Sequence, residues 1–60
     1  MKDVIAVSLE TNLVRIIAEN KTERNAEAIE NMAVYRRGVD DEFFAVVDAG
    51  AFKTGDRYDK

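Results

Sequence analysis

Apolar positions recur at every second residue from Val4 to Leu9, VIAVSL, with Ile5, Val7 and Leu9 on one side and Val4, Ala6 and Ser8 on the other. Successive side chains of an extended chain point to opposite faces, so this period, filled with β-branched residues, predicts a strand. A polar break at Glu10-Thr11-Asn12 precedes a second such run, LVRIIA, from Leu13 to Ala18. There Val14, Ile16 and Ala18 face one way and Leu13, Arg15 and Ile17 the other. Two runs joined by a short polar connection predict a β-hairpin. Leu13, Ile16 and Ile17 also fit helical spacing, so a helix from Asn12 onward is the competing reading of residues 12–20.

The period changes from Thr22 to Arg37. At about 100° per residue, Tyr35, Ala28, Met32, Ile29, Ala33 and Ala26 fall on one half of a helical wheel. Glu30, Glu23, Glu27, Asn31, Arg24 and Arg37 fall on the other. Asn20 or Thr22 supplies an N-cap, and Asn20 with Glu23 has the spacing of a capping box. Acids in the first turns and Arg36-Arg37 in the last suit the helix dipole, and Gly38 is a helix stop. Val39-Asp40-Asp41 then forms a short connector. Glu42 to Asp48, EFFAVVD, is aromatic and β-branched and predicts a third strand. Turns at Asp48-Ala49-Gly50 and Thr54-Gly55-Asp56 flank Ala51-Phe52-Lys53, which leaves room for a fourth short strand.

This order predicts a single α+β domain over residues 1–60. A small antiparallel sheet of three to four strands (ββαβ, or ββαββ) carries one amphipathic helix on one face. The strands are apolar on both sides, which a half-solvated sheet would not be. If Ile5, Val7, Val14 and Ile16 meet the helix, then Val4, Ala6, Leu13 and Ile17 do not. One of the sets Phe43/Ala45/Val47 and Phe44/Val46 must also point away. A bare apolar face in a soluble chain marks an interface. The expectation is a homodimer or higher oligomer, with Val4, Leu13, Ile17 and Phe43 in the self-association surface. Val34 is a smaller anomaly, because it shares a stripe with Glu23, Glu27 and Glu30. Those four residues form the expected contact with a different protein partner, although single exposed apolar residues are common.

Composition sharpens this picture. A 60-residue chain buries only about 60% of its unfolded surface, and small scaffolds usually need a staple. There is no cysteine and no histidine, which removes disulfides and the usual zinc ligand sets. Oligomerisation or close packing is left. Nine basic against twelve acidic residues give a net charge of −3, the wrong sign for a non-specific nucleic-acid binder. Runs such as Phe43 to Val47 are far too short to span a membrane. The first ten residues, MKDVIAVSLE, lack the long apolar segment of a signal peptide, so a cytoplasmic protein is expected.

Candidate chemistry is sparse. Asp40, Asp41 and Glu42 are hard oxygen donors, but adjacent acids point in different directions and the EF-hand spacing is absent. No metal or cofactor is expected. Paired-carboxylate catalysis needs a cleft that so short a chain has little room to build. Ser8 has no histidine to activate it, which leaves only a lysine for that role. Gly38, Gly50 and Gly55 are too far apart for a phosphate loop. A non-enzymatic role follows. Sheets that bind single-stranded nucleic acid combine aromatic platforms with cations. Here Phe43, Phe44, Phe52 and Tyr58 with Arg15, Arg36, Arg37, Lys53 and Arg57 supply that alternative. Asp40, Asp41, Glu42, Asp48, Asp56 and Asp59 are interspersed with them and would repel phosphate. The densest charged stretch, VYRRGVDDEFF from Val34 to Phe44, reads as the seam between helix and strand.

Residues 26–56, AEAIENMAVYRRGVDDEFFAVVDAG followed by FKTGD, resemble the products of short bacteriophage or prophage reading frames. The resemblance implies a small protein that binds and redirects a host protein, and it transfers no functional residue. The expected function is a non-catalytic, dimeric binding or regulatory protein, an inhibitor or adaptor of a larger protein. A nucleic-acid-binding module is the alternative.

Overall fold

The computed structural model describes residues 1–37 and 41–58, with the backbone alone for residues 34–37. Its elements run β1 (Lys2–Ser8), β2 (Val14–Lys21), α1 (Glu23–Arg37), β3 (Glu42–Asp48). This is the expected ββαβ, α+β order, with residues 14–21 extended rather than helical. The sheet order is β2-β1-β3, and β1 is antiparallel to both neighbours. Helix α1 therefore carries the chain from one sheet edge to the other. Gly38, Val39 and Asp40, expected to stop the helix and link it to β3, lie outside the described residues.

The hairpin closes through Ser8. Its N–H donates to Leu13 C=O at 3.1 Å, its C=O accepts from Asn12 N–H at 2.8 Å, and its Oγ accepts from the N–H of Glu10 and Thr11. Asn12 sits at φ 61°, a left-handed conformation that asparagine tolerates better than most residues. Thr22 caps α1, with Oγ1 accepting from Asn25 N–H at 3.2 Å. The alternative cap, Asn20, is instead left-handed at φ 54° at the far end of β2.

Directly paired residues of antiparallel strands share a face. Val7 lies between Val14 and Phe43, and Ile5 lies between Ile16 and Ala45. These side chains form one core cluster, against which Val47, Phe52 and Tyr58 also pack. Val4 and Ala6 point to the other face, beside Val46 and Phe44. Helix α1 covers that second face. Its Ala26 is fully buried, and the Lys2 pKa, raised chiefly by Asp48, is raised further by the first helix residue, Glu23.

Three expectations need correction. First, the alternation along β2 does not persist. Its register with β1 slips between Ile5/Ile16 and Val4/Ala18, and again before Lys2/Lys21. The first slip leaves Ile17 as an extra residue and places Ala18 opposite Val4, on the helix face. One inserted residue inverts every later side chain. Second, the sheet face away from α1 is not bare. The chain after β3 returns over it, with Phe52 and Tyr58 against the cluster and their rings stacked 5.4 Å apart. Third, the buried stripe of α1 is Ala26, with Ile29, Glu30 and Ala33 half-buried, whereas Ala28 and Met32 are exposed. The helix is turned by roughly one residue from the orientation its apolar half suggested.

The returning segment also lines the outer edge of β2. Val14 N–H donates to Asp56 C=O, Gly55 N–H to Val14 C=O and Tyr58 N–H to Asn12 C=O, at 2.7–2.8 Å. Leu13 and Arg57 form an isolated antiparallel bridge, and Ile16 N–H donates to Thr54 Oγ1. The fourth strand for which the sequence left room is reduced to that bridge.

Candidate functional site: the open edge of β3

Strand β3 forms because Phe43, Phe44, Val46 and Val47 favour a pleated, half-buried surface. Its seven residues pair one for one with β1, from Ser8↔Glu42 to Lys2↔Asp48, without a bulge. Two bonds just beyond the ladder fix its phase. Leu9 N–H donates to Asp41 C=O at 2.8 Å, and Ala49 N–H donates to Met1 C=O at 3.0 Å. The terminal pairs are therefore of the non-hydrogen-bonded kind. Strict alternation then makes Phe43, Ala45 and Val47 the residues whose N–H and C=O meet β1. The main-chain groups of Phe44 and Val46 point away from the sheet. Among the described residues nothing pairs with them.

This edge differs in kind from the opposite one. The outer edge of β2 is occupied by residues 54–58 at its start and bulged farther along, whereas, among the described residues, β3 is regular and open. It is also apolar on both faces. Phe43, Ala45 and Val47 belong to the cluster under Phe52 and Tyr58, while Phe44 and Val46 flank Ala6 and Val4 beneath the helix. All five are half-buried. A long, flat, apolar edge is a template for another strand unless it is blunted.

Acids mark both ends of the edge. Asp48 pairs with Lys2 Nζ, and this contact holds the Asp48 carboxyl below its usual range and raises the Lys2 ammonium. At the other end Arg15 Nη2 lies 3.4 Å from Glu42 Oε2. Arg15 is paired with Ala6 on β1, and the small alanine lets the guanidinium cross the central strand to reach β3. Both contacts are solvent-exposed and contribute orientation more than stability.

The residues expected to mediate self-association do not share a surface. Val4 is fully buried under the helix, Leu13 is 44% exposed, Ile17 is half-buried at the bulge, and Phe43 sits on the opposite face against Tyr58. Of the expected partner contact, Glu23 and Glu27 are exposed and Glu30 is half-buried. The side chain of Val34 lies outside the described residues, as do those of Tyr35, Arg36 and Arg37. Three of the four aromatics proposed for base stacking are engaged with one another. Phe43 meets Tyr58 edge-on at 5.4 Å, and Phe52 stacks on the same ring. Lys53 and Arg57 are exposed on the returning segment.

The sequence displayed the two apolar sets of β3 but not their position at an edge. Strand order follows from the crossover, and no local pattern encodes it. Among the described residues there is no pocket, no group of three potential metal ligands, and no helix long and apolar enough to cross a membrane. No protein-family model, curated protein or solved structure matches the chain.

Proposed function

We propose that this chain is a non-catalytic binding protein, an inhibitor or adaptor of a larger protein, that becomes competent to bind through strand addition at β3. The observation that carries the reading is the outward aim of the Phe44 and Val46 main-chain groups along an edge that is apolar on both faces. Main-chain hydrogen bonds from an added strand supply affinity there, and the flanking side chains supply selectivity. The likeness of residues 26–56 to short phage-type proteins agrees with such a role. The absence of cysteine fits a reducing, cytoplasmic setting. Nucleic-acid binding draws no support from the geometry, because Phe43, Phe52 and Tyr58 are committed to closing the core.

The test uses two synthetic chains, one native and one N-methylated at the Val46 amide. Methylation blocks the edge without touching a bond to β1. Each is used to capture proteins from the cells in which the chain is made. A protein held by the native chain and released by the methylated one supports the reading. Equal capture by both, or nucleic acid alone, sinks it.

A further inference from the structure

We infer that the strand completing the β3 edge is β3 of a second copy of this chain, joined antiparallel about a twofold axis at Ala45. This rests on the reading of the β3 edge as the interaction surface, and it goes further by naming the occupant and the register.

The occupant must be apolar on both faces, because the strand beside it is. The sequence from Phe43 to Val47 is itself such a strand. Since Phe44 and Val46 carry the outward main-chain groups, a twofold pairing can centre on Phe44, Ala45 or Val46. Centring on Phe44 sets Glu42 of one copy against Val46 of the other. Centring on Val46 sets Asp48 against Phe44. Each of these leaves an acid opposite an apolar side chain. Centring on Ala45 instead pairs Phe43 with Val47 and Phe44 with Val46, the aromatic and β-branched combinations that stabilise cross-strand neighbours. It also places Ala45 opposite Ala45 in a non-hydrogen-bonded pair. Such pairs bring Cα atoms to about 4.5 Å, and alanine suits that closeness. Glu42 then meets Asp48, and each acid already has a cation on its own chain, Arg15 and Lys2 respectively.

The assembly closes at two copies. Residues 54–58 line the outer edge of β2 from Asn12 to Ile16, so the joined sheet ends on both sides in a covered, bulged strand. Isologous pairing that uses up the one regular edge does not propagate. The twofold axis stands perpendicular to the sheet, so both helices lie on the same face. Their exposed residues Glu23 and Glu27 then lie on that same face of the dimer.

The chain has no cysteine, so Ala45→Cys introduces a single thiol on the proposed axis, within disulfide reach of its counterpart. Under mild oxidation at tens of micromolar this variant should link to itself at least roughly tenfold faster than Glu27→Cys, because the paired thiols share a high effective concentration. The native chain should show twice its 6.8 kDa mass by light scattering at the same concentration. Its Phe44 and Val46 amides should exchange more slowly as concentration rises. A 6.8 kDa species with concentration-independent exchange would overturn the second-copy assignment, even if Ala45→Cys failed to fold. If that monomer still lost a captured protein on Val46 methylation, the edge would remain the binding surface and only its occupant would be wrong.

Discussion

Asp3 Oδ1 accepts the backbone N–H of Asn20 at 2.9 Å, tying the start of β1 to the end of the bulged strand β2. The second oxygen, Oδ2, accepts the N–H of Gly50 at 3.0 Å, in the turn that follows β3. Both donors lie in left-handed backbone, at φ 54° and 82°, where the chain leaves the regular ladder. One carboxylate, 3% exposed, therefore satisfies two amides that the sheet cannot.

These bonds fix a pH dependence. The N–H groups of Asn20 and Gly50 lower the Asp3 pKa, so the folded protein favours the ionised form. The associated stability is fully present above the unfolded carboxylate value of about 3.9 and is lost as pH falls through the lower folded value. Asp48, lowered by Lys2, acts in the same direction. The urea midpoint of the native chain should fall on acidification below about pH 4. Asp3→Asn should lower the midpoint at neutral pH and leave a shallower acid decline. An Asp3→Asn chain with the native pH profile would remove Asp3 from this role.

The helix orientation gives a second contrast. Ala26 is fully buried, whereas Ala28 is exposed. Ala26→Leu should cost about 1–3 kcal/mol through overpacking. Ala28→Leu should stay within about 0.5 kcal/mol of the native chain. Urea unfolding of the two variants decides between the observed stripe and the apolar half read from the sequence, which buried both alanines.

That difference shows where the sequence was legible. The strands around Ile5 and from Glu42 to Asp48 announce themselves by composition, and the ββαβ order follows. The facing of α1 does not, because Ala26 and Ala28 stand at the two margins of the apolar half and small alanines give little directional signal between them. Glu30 is half-buried while Met32 is 50% exposed, the reverse of what hydrophobicity alone selects. Ile17 hides the bulge for a related reason, since an inserted isoleucine looks like continued alternation. The segment after Gly50 has no period at all. Its order comes from bonds to β2 and from the rings of Phe52 and Tyr58, which only the folded chain brings together.

Tyr58 tests that closing segment. Its ring contacts Phe43 edge-on and Phe52 face-on and covers the cluster of Ile5, Val7 and Val14. Tyr58→Ala should cost roughly 2–3 kcal/mol, below the range for a fully buried aromatic because Tyr58 is half-exposed. Binding of a hydrophobic dye should increase as the cluster becomes accessible. A Tyr58→Ala chain with native stability and no added dye binding would show that the returning segment merely rests on the sheet.

The phase of the β3 ladder can be checked with proline, which removes one N–H and nothing else from the main-chain pattern. Ala45 is paired with Ile5 through hydrogen bonds, so Ala45→Pro deletes a ladder bond and leaves a buried carbonyl without its donor. That loss costs roughly 1–3 kcal/mol, before the ring's collision with β1 is counted. The N–H of Val46 points outward, and proline is tolerated on edge strands when its nitrogen faces away from the sheet. Val46→Pro also trims apolar contact beside Val4, about 1 kcal/mol at the usual value per buried CH₂. It should therefore keep a native circular-dichroism spectrum and a cooperative melt, while Ala45→Pro is largely unfolded. The folded Val46→Pro chain should also be monomeric, because the proline ring occupies the place of the partner strand. If Ala45→Pro were the folded variant, the outward groups would belong to Phe43, Ala45 and Val47, and Ala45 would meet its counterpart in a hydrogen-bonded pair instead of the non-hydrogen-bonded pair proposed.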